Sequence, residues 1–403
     1  MKYVLLLIVF LINKQLSAQD LYIKNVQIFD GSSETVIKGA AIKISGRTIA
    51  WIGPQLKDDP KEYQTIDGQG FYIMPGMVDA HTHISDLKAA KRALLSGVTT
   101  VRSASTSSFQ DVSLANLADK GVIAGPDVIS AGVYVTPNLG ETILADPRLA
   151  NLSAGVRSED ALRQLVKINA DRGVGVIKTR GTERAGLPET DPRQQTYTLE
   201  QLKIVVDEAA KYKLGVMVHA HGDEGGRAAV EAGAISIEHG TFLSKETLKL
   251  MKAKGTYLVP TIITIEDLKI PGGEYSNPVL ELRGKFMMAK AERTFRNALA
   301  LGVKMATGAD NDYSAESTTR ISLEAEHFVR LGMSNFMALQ AATKNGAELL
   351  GLSLKTGTLA VGMEADIILL PNNPLEDIMA LQDVLMVISN GQLALKRIPF
   401  ATD

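Results

Sequence analysis

The chain of 403 residues contains no cysteine. That excludes disulfides, thiolate metal sites, a cysteine nucleophile and a lipid-modified N-terminal cysteine together. Stability in such a chain must come from a large buried core. An excess of charge is missing too, because 43 Lys and Arg stand against 45 Asp and Glu, a net charge of -2. No basic cluster with interleaved aromatics is present, so nucleic acid is not an expected partner. No Ser/Gly-rich linker, charge run or low-complexity tract interrupts the sequence. No Gly-rich dinucleotide turn follows a strand, and no G-x-S-x-G elbow occurs for a serine nucleophile.

A membrane-spanning run near the start is also lacking. The apolar stretch from Tyr3 to Ile12 would rise about 15 Å as a helix, half of a hydrocarbon core of about 30 Å. With Lys2 before it and Leu16-Ser17-Ala18 after it, residues 1–18 read as a secretory signal peptide cut at Ala18/Gln19. An uncleaved anchor is the alternative. The expectation is an exported protein, periplasmic or secreted, with no stable membrane insertion after cleavage.

What is there is an ordinary folded composition, 45% hydrophobic and 22% charged. Leu21 to Gly31, Ala41 to Arg47, Ile49 to Gly53 and Thr65 to Gly70 alternate apolar and polar residues between glycine turns, the texture of short strands. The same texture returns in Ala365 to Leu370 and Val384 to Ile388. Residues 19–73 and 362–403 are therefore expected to pack as one small composite β-sandwich around an α/β middle, residues 74–361.

One unit recurs in that middle: helix, glycine, apolar strand, polar tip. Thr198 and Gln201 fit a capping box. Leu199, Leu202, Val205, Val206, Ala209 and Tyr212 follow at helical spacing, Gly215 ends the helix, and the strand Val216-Met217-Val218 is tipped by His219. The pattern repeats through Gly233 and Ile235-Ser236-Ile237 to Glu238 and His239, and through Gly302 and Val303 to Ala306 up to Asp310. Looser copies run through Gly97 to Val101 and through Gly173 and Gly175 to Lys178. Such repetition implies a parallel sheet, and polar residues at strand C-termini are where a (β/α)8 TIM-like barrel holds its chemistry. An open doubly wound sheet is the competing fold.

Five of the six histidines sit at such tips: His81, His83, His219, His221 and His239. In His81-Thr82-His83 both imidazoles face the same side of an extended segment and can reach one ion. His327, in the helical stretch from Leu323 to Leu331, is read as structural. Lys178 at the tip of Val176-Ile177 has two readings, a lysine snorkelling to water or a functional amine. Asp310 either caps the next turn or faces the site. Arg102, Arg180 and Arg184 follow strand tips and could bind a substrate carboxylate.

The run Pro75-Gly76-Met77-Val78-Asp79-Ala80-His81-Thr82-His83 resembles the first-strand signature of the amidohydrolase superfamily. Val218-His219-Ala220-His221-Gly222, Ile237-Glu238-His239-Gly240 and Thr307-Gly308-Ala309-Asp310 resemble its fifth, sixth and eighth strands. The closest texture is the subgroup around imidazolonepropionase-like amidohydrolases and metal-dependent dipeptidases. The resemblance implies a hydrolase of C–N bonds in amides, cyclic amides or dipeptide-like compounds, working with water acidified by two divalent ions, zinc in expectation. It implies His81, His83 and Asp310 on the first ion, His219 and His239 on the second, and a carboxylated Lys178 on both. Asp310 would then relay a proton to the leaving group. His221 is left as a further site residue, the family pattern taking the first histidine of its triplet. Tyr134 and Arg180 are candidate substrate contacts beside it.

This chain departs from the family where many dipeptidase-like relatives carry a Gly-Gly-His loop, since it reads Gly132-Val133-Tyr134. Ser103 and Ala309 likewise replace a frequent Asp and Thr. A lactone or ester hydrolase on the same site is the alternative activity, and a non-catalytic envelope binding protein is the alternative class. The expected partner is a small-molecule substrate, and a homo-oligomer is compatible with all of this.

Overall fold

The computed structural model describes residues 20–271 and 276–398. The expected signal segment therefore lies outside the described residues. Fifteen strands and eleven α-helices follow one another in this part of the chain.

The first strands are β1 (Leu21–Phe29), β2 (Val36–Ser45), β3 (Thr48–Pro54), β4 (Gln64–Asp67) and β5 (Tyr72–Pro75). The last are β13 (Ile367–Leu370), β14 (Met386–Ser389) and β15 (Gln392–Lys396). All eight form one mixed sheet in the order β15-β14-β13-β5-β1-β2-β3, with β4 on β1. The join between the chain ends is the antiparallel pairing of β5 with β13, from Ile367 opposite Pro75 to Leu370 opposite Tyr72. Period-two alternation drives this: Leu21, Ile23, Ile28, Ile42, Ile44, Ile367, Leu369, Met386 and Ile388 share one buried cluster.

Between the two ends run seven parallel strands. Three, β6 (Met77–Thr82), β7 (Val98–Ser103) and β8 (Asp127–Ile129), make one arc in the order β6-β7-β8. The other arc is β12-β11-β10-β9, comprising β9 (Val176–Arg180), β10 (Gly215–Ala220), β11 (Ser236–His239) and β12 (Tyr257–Val259). Irregular segments hydrogen-bond to each arc. Val135 N–H donates to Lys178 C=O at 2.9 Å and Val176 N–H to Ser130 C=O at 3.1 Å. On the far side Leu258 N–H donates to Lys304 C=O at 2.9 Å and Ala80 N–H to Thr307 C=O at 2.9 Å. The expected eighth strand is reduced to a single bridge, Leu258 to Met305. Its backbone divides its bonds among Leu258, Ala80 and Ala341, so no regular ladder forms.

Helices cover the arcs: α1 (Leu87–Leu95), α2 (Gln110–Asp119), α3 (Glu159–Asp171), α4 (Leu199–Lys211), α5 (Asp223–Ala232) and α6 (Lys245–Lys254). After β12 come α7 (Ile262–Asp267), α8 (Pro278–Leu301), α9 (Ile321–Arg330), α10 (Asn335–Ala341) and α11 (Lys344–Leu349). The capping box forms as read, Thr198 Oγ1 accepting from Gln201 N–H and the Gln201 side chain reaching back. Gly233 and Gly302 take the left-handed C-caps of α5 and α8. The reading of Gly215 as the stop of α4 is corrected: Lys213 makes the left-handed turn at φ 60, and Gly215 opens β10.

A polar network ties the mixed sheet to β8. Lys355 Nζ lies 2.7 Å from Asp127 and 3.3 Å from Glu364, and Asn390 Nδ2 donates to Asp127 at 2.8 Å. Within it Asp366 is buried and among the described residues has only neutral donors, Asn390 N–H at 2.9 Å and the Thr356 hydroxyl at 2.8 Å. Burial, aided by Asp127, pushes its carboxyl up to about 7. A carboxyl whose folded value exceeds its unfolded value costs stability as pH rises from about 4 through about 7. Asp366→Asn removes that cost. Its melting temperature relative to the parent chain is expected to increase from pH 5 to pH 8, by about 1 °C for each kcal/mol relieved in a chain of this length. A pH-independent difference in scanning calorimetry would contradict this.

Candidate active site

The ends of β6, β10 and β11 bring five imidazoles together. Ring centroids are 5.7 Å apart for His81 and His83, 5.0 Å for His81 and His239, and 4.6 Å for His219 and His239. His221 stacks on His239 at 4.6 Å and 16°. Nitrogens of His219, His221 and His239 lie within 4.8 Å of one another, and so do the ligand atoms of His81, His83 and Asp310. His81, His219, His221 and His239 are buried, the Asp310 side chain is 16% exposed and that of His83 40%. His327 sits within α9, away from both groups.

Each ring is held from behind. Glu238 Oε2 accepts from His81 Nδ1 at 2.6 Å, and the Ser105 carbonyl accepts from His83 Nδ1 at 3.1 Å. Threonine hydroxyls stand 2.8 Å from His221 Nδ1 (Thr241) and 2.7 Å from His239 Nδ1 (Thr261). His219 is turned the other way, donating from Nε2 to the Glu183 carbonyl at 3.0 Å, which fixes its lone pair on Nδ1. Asp310 completes the rim with Oδ1 3.2 Å from His81 Nε2 and 3.5 Å from His83 Nε2. Its backbone takes φ 47, and Asp310 N–H donates to the His81 carbonyl at 2.7 Å. Gly308 permits this approach, because a Cβ there would stand 2.8 Å from that of His81.

Lys178 on β9 is buried, and its Nζ has no hydrogen-bond partner among the described residues. Burial lowers its amine to about 8. Burial, with neighbouring cations, likewise holds His219 and His239 well below the usual imidazole range and His221 at about 3. These rings are neutral at pH 7, the form that donates a lone pair to a metal. Burial opposes charge on His81 also, but Asp310 and Glu238 outweigh it and hold that imidazole above its ordinary value. Against its own burial, His81 keeps the Asp310 carboxyl well below the usual range.

The donor set suits divalent cations: neutral imidazoles, one ionised carboxylate and a desolvated amine converge where the protein supplies no counter-donor. Beside it, Arg180 stacks on the Tyr134 ring at 4.9 Å and pairs with Glu183 at 3.2 Å. Arg184 lies 5.6 Å from the same ring, and the buried Tyr134 hydroxyl has no hydrogen-bond partner among the described residues. The reading of Arg102 as a substrate contact is corrected. It is 1% exposed and donates to the Ala80 carbonyl at 2.8 Å and to Glu238 at 3.0 Å.

Sequence reasoning missed the residues behind the rings. Glu238 is held at about 2 despite its burial, chiefly by Arg102. A glutamate inside the apolar run of β11 signals such a partner. Asp79 accepts from His81 N–H at 3.0 Å, Ala309 N–H at 3.1 Å and the Tyr313 hydroxyl at 2.9 Å. Glu324 on α9 accepts Ile262 N–H at 3.0 Å and Ile263 N–H at 2.9 Å, fixing the turn in which Thr261 takes φ 44.

Fold and site, taken with the relatives that share them, define a hydrolase acting on carbon–nitrogen bonds. The family model described as "Amidohydrolase family" matches residues 72–394, and the chain belongs to that family. It is 29% identical over 392 residues to ochratoxinase of Aspergillus niger, covering 86% of this chain and 80% of that one. Imidazolonepropionase of Micrococcus luteus is 25% identical over 361 residues, covering 82% and 87%. A crystal structure of a Xaa-Pro dipeptidase with bound methionine superposes with a TM-score of 0.83 at 28% identity, covering 93% of this chain and 99% of that one.

Thr261→Val keeps the shape of the side chain and removes the hydroxyl behind His239. The affinity of the cluster for an added divalent cation is expected to fall by about 10- to 100-fold, read by competition with a chromogenic chelator. Unchanged affinity would show that the hydroxyl does not position the ring.

Proposed function

We propose that this protein is an exported, binuclear metal-dependent amidohydrolase that cleaves amide, cyclic amide or dipeptide-like C–N bonds. The observation that carries this reading is the unpartnered Lys178 amine among two triads of potential ligands. His81, His83 and Asp310 would hold one ion, and His219 and His239 the other. Lys178 as a carbamate would touch both. In forming it, the uncharged Nζ bonds to the carbon of carbon dioxide and releases one proton to solvent. Desolvation favours the uncharged amine this requires. Two divalent ions, zinc in this reading, would acidify water and polarise a carbonyl.

The chain's own residues do the rest. Asp310, half-buried and ionised, stands within 3.2–3.5 Å of His81 and His83, where it can take a proton and return it to the leaving nitrogen. His221, fixed by Thr241, presents a neutral ring to the same space. Tyr134, Arg180 and Arg184 would bind a carboxylate on the substrate, charge-assisted and from one side. Relatives named ochratoxinase and Xaa-Pro dipeptidase support an amide substrate. Tyr134, in place of the histidine that many dipeptidase-like relatives carry, supports a selectivity of its own.

In this reading the two arcs and the segments between them close as a (β/α)8 barrel over residues 74–361. Residues 19–73 and 362–403 then form the composite β-domain. No described helix is long and apolar enough to cross a membrane. Export rests on the N-terminal segment, and protein recovered from a periplasmic extract is expected to begin at Gln19. A full-length cytosolic form would overturn it.

Lys178→Ala is expected to lose one of two zinc equivalents and more than about 99% of turnover, with partial recovery on adding a short carboxylic acid. Full activity in that variant would refute the carbamate. The parent enzyme is expected to turn over N-acyl amino acids or dipeptides faster than lactones. The reverse order would favour the esterase reading, and no zinc-dependent turnover of either would leave only binding.

A further inference from the structure

A groove with none of the imidazoles in its lining brings aromatic surface together with cations that form no ion pair among the described residues. It lies between α8 and segments 190–193 and 241–245. Two cavities of about 470 and 500 Å³ make it up, sharing Arg193, Phe242 and Phe286. The Phe286 side chain is 54% exposed, its ring centred 6.1 Å from that of Phe242. Lys290 Nζ stands 5.6 Å from the Phe286 centroid. Lys245 and Arg293 line the same cavity, and among the described residues none of these three cations forms an ion pair. Arg193 differs, being paired with Asp191 at 2.8 Å.

The groove is built on a fixed frame. Arg283 of α8 donates to the carbonyls of Ala185, Leu187, Pro188 and Thr190 at 2.5–3.1 Å, clamping the loop after β9 against the helix. Those carbonyls satisfy its donors without cancelling its charge. On the floor, the Thr294 hydroxyl of α8 donates to the Thr241 carbonyl at 3.0 Å, and Thr241 is the residue that holds His221. Two phenyl faces left partly in water beside three uncompensated cations carry an apolar cost and an electrostatic one. A ligand that removes both must offer a flat apolar face and a negative group. An inorganic anion would leave the rings uncovered, and a neutral aromatic would leave the cations unpaired.

We propose that this groove is a second ligand site, for a small aromatic anion such as a fused-ring carboxylate. The ring stacks with Phe242 and Phe286, and the carboxylate pairs with Lys290 and Arg293. None of the imidazoles lines the groove, and the proposal does not depend on the metal reading.

Isothermal titration of the whole protein with 2-naphthoate, and with uncharged 2-naphthamide, tests it. One naphthoate is expected per chain, at least about tenfold tighter than the amide, a difference of about 1.4 kcal/mol. Lys290→Glu combined with Arg293→Glu, on the outer face of α8, should weaken naphthoate at least tenfold, as should Phe286→Ser. Lys178→Ala, outside the groove, should bind as the parent does. Equal affinity for acid and amide, undiminished binding after charge reversal, loss of binding in Lys178→Ala, or no binding at millimolar naphthoate would each overturn the proposal. The acid–amide comparison needs no variant, so a charge-reversed chain that fails to fold leaves the test intact.

Discussion

An ammonium group at Lys178 would stand stripped of water inside a wall of imidazoles, with no carboxylate or carbonyl in hydrogen-bonding reach among the described residues. Leaving such a charge unpaired costs several kcal/mol, and a buried group escapes that cost by losing its proton or gaining a partner. The neighbours make the problem collective. His81, His219, His221 and His239 each have their protonated form disfavoured by the Lys178 charge, so the amine and the rings cannot all be cationic together. With most of them neutral, the site becomes a concentration of lone pairs facing one space. Divalent cations would satisfy those lone pairs, and a carbamate on Lys178 would convert its repulsion into ligation.

Holding so many rings in one orientation demands backbone that ordinary residues avoid. His239, Thr261, Asp310 and Tyr313 all take positive φ around the site, each at a cost of about 1–3 kcal/mol. Buried carboxylates appear where that strain must be held. Asp79 grips the segment carrying Asp310, Glu324 grips the turn carrying Thr261, and Glu238 grips His81. Only Glu238 has an arginine against it. Burial pushes Asp79 to about 6 and Glu324 to about 8, so folding energy has been put into rigidity at the rim.

The legible part of this protein is what local spacing encodes. Period-two placement put His81 and His83 on one side of a strand, and recurring glycine-strand-tip units set five histidines and Asp310 at comparable positions. The Thr198–Gln201 box and the caps at Gly233 and Gly302 were readable because they are chemistry between neighbours. Strands at both ends of the chain were readable from alternation, whereas their joining in one mixed sheet through β5 and β13, in place of the expected sandwich, was not. What stayed hidden depends on contacts across the fold. Glu238 meets His81 over 157 positions, and Glu324 meets Ile262 over 62. Arg102 looked like a mouth residue because a strand tip and a charge coincide there, yet its guanidinium turns inward to Glu238. The eighth strand failed as a strand because its backbone is divided among three neighbours.

The central claim is that these side chains hold two divalent cations joined through a modified lysine. Anomalous diffraction at the zinc edge, on crystals grown with zinc and bicarbonate, reads it most directly. Two peaks about 3.5–4 Å apart, with density continuing from Lys178 Nζ as a planar three-atom group reaching both, are expected. A single peak, no peak, or a bare lysine side chain beside two ions would contradict it.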